Sequence, residues 1–181
     1  VLYSDRKIIE MRLPLNEKIL EGLKAGDEVL LSGVLFTARD QAHQRLAALL
    51  RKKVSLPFDL KGQVIYYCGP TRTPPGKAIG SCGPTTSSRM DSLTAPLLRA
   101  GVIGMIGKGR RSEEVRKLIR KHKAVYFLAT GGTGAFLSKR VISAKAVFLK
   151  ELGPEAVYRL VVKDFPVIVG IDSRGEDVFD R

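Results

Sequence analysis

The tetrapeptide Cys-Gly-Pro-Thr occurs twice, at 68–71 and 82–85, and its second copy runs on as Thr85-Thr86-Ser87-Ser88-Arg89-Met90-Asp91. Thr85 and Arg89 are four residues apart. If the chain turns into helix near Ser87, the hydroxyl and the guanidinium face one small volume. That pair suits a carboxylate ligand, because arginine offers a planar two-pronged donor. The same residues also allow an arrangement without a ligand, in which Arg89 pairs with Asp91 and Thr85 caps the helix. Three Gly-rich turns follow predicted strands: Cys68-Gly69-Pro70-Thr71, Gly107-Lys108-Gly109 and Gly131-Gly132-Thr133-Gly134. Glycine lets backbone N–H groups approach an anion closely, and strand ends in open α/β sheets are where ligands bind. None of the turns has the spacing of a phosphate loop or a dinucleotide fingerprint. Taken singly, each could serve only to end a strand.

The usual proton-transfer residues are sparse. Of the two histidines, His122 sits in Arg120-Lys121-His122-Lys123, a basic helix end, and reads as structural. His43 lies one turn into the helix after Arg39, placed to orient that arginine or its neighbours. No Ser–His–Asp spacing is recognisable, and neither histidine has a sequence-evident reason to face Cys82. Two cysteines make neither a disulfide framework nor a cysteine-rich cluster motif.

These side chains need elements to hold them. Lys7 to Leu13 and Asp27 to Thr37 read as strands, the second with a bulge or bend at Gly33, and their closeness suggests an antiparallel start. A helix begins at Asp40 with Ala42, Leu46, Leu49 and Leu50 on one face. Gln63 to Tyr67 is a buried strand, and a long irregular stretch from Cys68 to Asp91 follows, of a length that is usually functional. Ser92 to Ala100 is a short helix with Pro96 in its first turn. Val102 to Ile106 and Ala124 to Ala129 are strands flanking a helix capped by Ser112. A helix through Leu137 and strands at Ala146–Leu149, Ala156–Val162 and Val167–Ile171 complete the chain. The alternation from 63 to 149 predicts an α/β domain with a parallel or mixed core sheet and an added β layer.

Composition bounds the rest. The 181 residues are 44% hydrophobic and 27% charged, a globular balance that excludes overall disorder. No apolar run approaches a membrane span and no signal-peptide pattern opens the chain, so a cytoplasmic protein is expected. Thirty-one Lys and Arg face eighteen Asp and Glu, for a net charge of +13. Such a surplus suits a polyanion, a small acidic substrate, an acidic partner or simply a soluble surface. Nine of the cations fall between Arg99 and Lys123, yet no RNA- or DNA-binding motif accompanies them and Tyr126 and Phe127 read as buried in a strand. Nucleic-acid binding is therefore a distant alternative.

Gly83-Pro84-Thr85-Thr86-Ser87-Ser88-Arg89-Met90-Asp91 resembles the signature of class I fumarate hydratases, in the β region of the iron–sulfur hydro-lyases that also include L(+)-tartrate dehydratase. Further stretches look like landmarks of that family in the family's order: Thr37-Ala38-Arg39-Asp40-Gln41-Ala42-His43, Ile65-Tyr66-Tyr67-Cys68-Gly69-Pro70-Thr71, Ile106-Gly107-Lys108-Gly109, Ala124-Val125-Tyr126-Phe127, Leu152-Gly153-Pro154-Glu155-Ala156 and Asp164-Phe165-Pro166. The resemblance spans essentially the whole chain. It implies a single swivelling β/β/α domain over residues 1–181. It implies the beta subunit of a fumarate hydratase of the tricarboxylic acid cycle, acting on a small dicarboxylate, with L(+)-tartrate dehydratase as the alternative. It implies a [4Fe–4S] cluster held by a partner alpha subunit, none bound by this chain, and αβ units repeated by symmetry. By the same resemblance Thr85 matches the proposed catalytic base, and Arg39, Arg89 and Lys108 match the residues that hold the substrate carboxylates. Gly83, Thr86 and His43 would be supporting residues. The Gly131–Gly134 turn departs from the family's Gly-Gly-Ala-rich form.

The chemistry implied fits the residue types. Dehydrating malate removes a weakly acidic proton beside a carboxylate, so preorganised cations aimed at that carboxylate stabilise the developing charge. Expelling hydroxide asks for a Lewis acid.

Overall fold

The computed structural model describes residues 8–180. Four strands run parallel and in register: β2 (Glu28–Thr37), β3 (Val64–Tyr66), β4 (Gly104–Gly107) and β5 (Val125–Leu128). The fifteen-residue β7 (Val157–Ile171) lies antiparallel to β5 on one side and to β2 on the other, which closes the five strands into a small barrel. β1 (Ile9–Arg12) adds to β2 ahead of β3, and β6 (Val141–Phe148) adds to β7. The fold is thus mixed α/β, and the extra β structure extends the barrel's own sheet.

Side-chain alternation divides the core. Val64, Tyr66, Ile106, Phe127 and Leu160 belong to one buried cluster, shared by the five ring strands and therefore inside the barrel. Ile65, Met105 and Tyr126, one residue out of phase, point the other way. They meet three helices: α2 (Asp40–Arg51), α3 (Asp91–Arg99) and α4 (Glu113–Lys121). Two short helices, α1 (Glu17–Leu20) and α5 (Gly134–Ser138), lie in connections. Gly33 carries the predicted bend: its φ is +129°, the register with β7 shifts beside it, and a Cβ there would come within 2.9 Å of Leu13. Ser112 caps α4 by accepting from Val115 N.

Several expectations are corrected. β1 and β2 pair parallel, Ile9 opposite Val29. The connection through α1 is long enough for the crossover that parallel strands require. Lys7, the expected start of β1, lies outside the described residues. The separate strands at 156–162 and 167–171 are one strand, β7, which bends at Asp164 (φ +50°), where its register with β2 shifts, and pairs with β2 on both sides of the bend. The strand expected at 146–149 starts at Val141. Pro96 is inside α3, beyond its first turn, because the helix starts at Asp91 directly after a 3-10 turn over Ser87–Met90. The carbonyl that Pro96 cannot serve belongs to Ser92, on the exposed face.

Candidate active site

The carboxyl ends of β2, β3, β4 and β5 form one edge, and the segments leaving them carry the residues singled out in the sequence. Tyr67 continues β3 far enough for its N–H to bond Ile106 O. Thr85 then wedges in where β3 and β4 part. Its N–H donates to Tyr67 O (2.7 Å), its carbonyl accepts from Lys108 N (3.3 Å), and Ser87 N donates to Lys108 O (3.0 Å). This short ladder fixes Thr85, Thr86 and Lys108 side by side. It requires Gly107, since a Cβ there would overlap Ser87 Oγ. Among the described residues, the Thr85 hydroxyl has no hydrogen-bond partner and no carboxylate pairs with Lys108. The Lys108 side chain lies against Gly131, where a Cβ would sit 3.8 Å from Nζ. The Gly131–Gly134 turn therefore frames the same edge. Gly83 packs its backbone on Gly134, and Cys82 N bonds Gly134 O at 3.2 Å. Gly83 thus contributes close backbone approach. Thr86 is exposed beside Lys108.

Arg39 stands between β2 and α2, two residues past the strand. Its side chain crosses Gly69, where a Cβ would lie 2.8 Å from Arg39 Cδ. Arg89, in the 3-10 turn, donates its Nε and Nη2 to Asp40 Oδ1 and Oδ2, both at 2.8 Å. Arg39 Nε donates to the same Oδ2 at 3.2 Å and lies 3.7 Å from Glu155. The Arg89 hydrogen bonds hold the Asp40 carboxyl down to a pKa of about 2 against the opposing effect of burial. Thr85, Arg39, Arg89 and Lys108 are therefore brought to one edge of the sheet.

His43 is buried. Its Nδ1 donates to Arg39 O at 3.2 Å, and its ring meets Tyr67 edge-on at 5.0 Å. Burial pulls its pKa down to about 4, so it is neutral near pH 7 and anchors the Arg39 backbone. Cys68 and Cys82 are buried in the barrel cluster. The Cys68 thiol is pushed up by its hydrogen bond to Cys82, and that of Cys82 is drawn down by the same bond. Among the described residues no three His, Cys, Asp or Glu side chains gather as metal ligands. Two interior thiols do not fit the iron–sulfur cluster implied by the family resemblance.

Two ion pairs escaped the sequence. Arg89 does not pair with Asp91, and Thr85 caps nothing. Asp91 instead binds Arg111 (2.7 Å) and accepts from Ser112 N (2.7 Å). The Arg111 side chain is wholly buried. It donates to Thr94 Oγ1 and the Tyr67 hydroxyl, and it lies over the rings of Tyr67 and Tyr126. The Tyr126 hydroxyl is shared between Ser87 Oγ (2.9 Å) and Gly109 O (2.8 Å). A buried polar base thus supports both the Arg89 turn and the segment after Lys108. Asp40 carried a signal, its place beside Arg39, but its partner is 49 residues away. The basic run is partly paired within the chain: Arg111 is buried against Asp91, and Arg110 and Arg116 pair with Asp180 at the surface.

Comparison with known proteins agrees. A family model described as the fumarase C-terminus matches residues 3–181. The aerobic class I fumarate hydratase of Escherichia coli (strain K12) is 36% identical over 177 residues, 96% of this chain and 32% of that protein. Fumarate hydratase 2 of Leishmania major is 35% identical over 177 residues, 96% and 31% of the two chains. A Methanocaldococcus jannaschii protein provisionally named L(+)-tartrate dehydratase subunit beta is 38% identical over 173 residues, 92% and 89%. The chain spans about a third of the length of the fumarate hydratases it matches. With its sheet edge, its signature turn and these matches in agreement, the chain belongs to the fumarase C-terminus family.

Proposed function

We propose that this chain is the beta-type component of an iron–sulfur fumarate hydratase, interconverting fumarate and (S)-malate as one swivelling domain over residues 1–181. The observation that supports this reading is that Thr85 and Lys108, joined by backbone hydrogen bonds, and Arg39 and Arg89, joined through Asp40, all lie at the carboxyl edge of four parallel strands. The cluster that activates the leaving hydroxide sits, in this reading, on a partner alpha subunit, in αβ units repeated by symmetry and working in the cytoplasm.

This chain's residues bind and orient the dicarboxylate and move the proton. Arg39 and Arg89 grip a carboxylate through guanidinium nitrogens not engaged by Asp40. Lys108, without a protein counter-ion among the described residues, stabilises the charge that builds when the C–H bond beside the carboxylate breaks. The free Thr85 hydroxyl takes or relays that proton. A threonine needs its alkoxide stabilised to act as a base, and the Lys108 charge, held on the adjoining rung of the backbone ladder, supplies part of that.

The L(+)-tartrate alternative is favoured by one observation, the match over 89% of a protein named as a tartrate dehydratase beta subunit. Anaerobic assembly with a cluster-bearing alpha chain, assayed on malate, fumarate and tartrate, separates the two. Turnover of malate and fumarate only in the assembled enzyme is expected, with loss on the order of 100-fold or more for Thr85→Ala. Full hydratase activity from this chain alone, or an unimpaired Thr85→Ala enzyme, contradicts the assignment.

A further inference from the structure

The carboxylate bound to Arg89 comes from the protein itself, and its placement says which arginine nitrogens are left for a ligand. Asp40 is the first residue of α2, a position where a negative charge also meets the positive end of the helix. Its two oxygens take Nε and Nη2 of Arg89, and Oδ2 also takes Nε of Arg39. Glu155 stands 3.7 Å from the same Arg39 Nε, and its other oxygen accepts from Gln41 N at 2.7 Å, which ties it to the start of α2. Among the described residues, Nη1 of Arg89 and both Nη atoms of Arg39 make no hydrogen bond. Two guanidinium groups held close repel each other, and Asp40 offsets that repulsion from between them. It does so on the Nε side of each, leaving terminal nitrogens open.

We infer that Asp40, backed by Glu155, is the positioning residue of the dicarboxylate site: it sets the spacing of the Arg39 and Arg89 guanidinium groups and leaves their outer nitrogens to the ligand. The identity of that ligand rests on the hydro-lyase reading above. The opposite role, a built-in competitor displaced by substrate, makes the opposite prediction. Asp40→Asn keeps the size and one acceptor but removes the charge between the arginines. In the assembled enzyme, positioning requires KM for fumarate and malate to rise roughly tenfold or more while kcat changes by less than about threefold. The inhibition constant of succinate, an unreactive dicarboxylate, should rise in parallel. A purely structural role would lower stability or kcat without this split. An unchanged or lowered KM overturns the inference. If Asp40→Asn does not assemble, Glu155→Gln carries the test through the same readout, with a rise of about threefold expected, and an unchanged KM overturning it. A wild-type assembly that binds succinate but turns over neither fumarate nor malate would refute the hydratase reading instead, and calorimetric succinate binding would still decide the role of Asp40.

Discussion

His43 shows how burial changes what a residue type can do. A histidine one turn after Arg39 invites assignment as a base, yet this ring is enclosed, and its Nδ1 is committed to the Arg39 carbonyl. Burial holds it neutral to about pH 4, against an ordinary value of 6.5. Between those values the unfolded chain binds more protons than the folded one. Stability is therefore intact above pH 6.5, falls as the pH drops toward 4, and levels off below. The loss is on the order of 3 kcal/mol. His43→Gln, which keeps a donor for Arg39 O, should flatten that slope in denaturant melts between pH 7 and 4. A wild-type slope in the variant would place the titrating group elsewhere. Thr85 and Lys108 are the converse case: their side chains have no protein partner among the described residues, so their capacity to bind is unspent.

At the scale of elements, the signature turn is held by what lies beneath it. Arg111 bonds Asp91, Thr94 and Tyr67, and Tyr126 ties Ser87 to Gly109, so the 3-10 turn, α3, β5 and the segment after β4 share one buried polar network. Removing one member of a buried ion pair leaves the other charge uncompensated. Arg111→Met should cost about 3–5 kcal/mol in chemical denaturation, and Asp91→Asn in the same chain should restore part of it. A loss below about 1 kcal/mol would show that the network adds little. None of this was legible from spacing, because Arg111 is twenty residues from Asp91 and sits within a run of cations that reads as solvated surface. What the sequence did disclose was local: the Ser112 cap, the bend at Gly33, and the turn into helix at Ser87. The errors fell where pairing is non-local. Whether β1 lies parallel to β2 depends on the path through α1, and the unity of β7 depends on its pairing with β2 on both sides of the irregularity at Asp164. A residue pattern with period two fixes which face a strand buries, but not its neighbour or its direction.

For the molecule as a whole, the surplus of thirteen positive charges surrounds a sheet edge that is itself cationic. At the sheet edge, Arg39 and Arg89 are largely neutralised by Asp40 and Glu155, and Lys108 has no carboxylate partner among the described residues. The remaining surplus is spread over exposed lysines and arginines such as Lys117, Arg120, Lys121 and Lys123. Charges so distributed add little to the affinity of any one contact but raise the encounter rate with a dianion. Their reach is set by screening, about 10 Å at 0.1 M salt. If the proposed hydratase reading holds, kcat/KM of the assembled enzyme for fumarate should fall several-fold between about 10 and 200 mM sodium chloride, while kcat stays nearly constant, since short contacts within a bound complex are little screened. A control with the uncharged osmolyte sucrose separates screening from crowding. A flat salt profile would mean that the positive surface plays no part in drawing in a dianion, and on the proposed reading recognition of the dicarboxylate would then rest on short-range contacts such as those assigned to Arg39, Arg89 and Lys108.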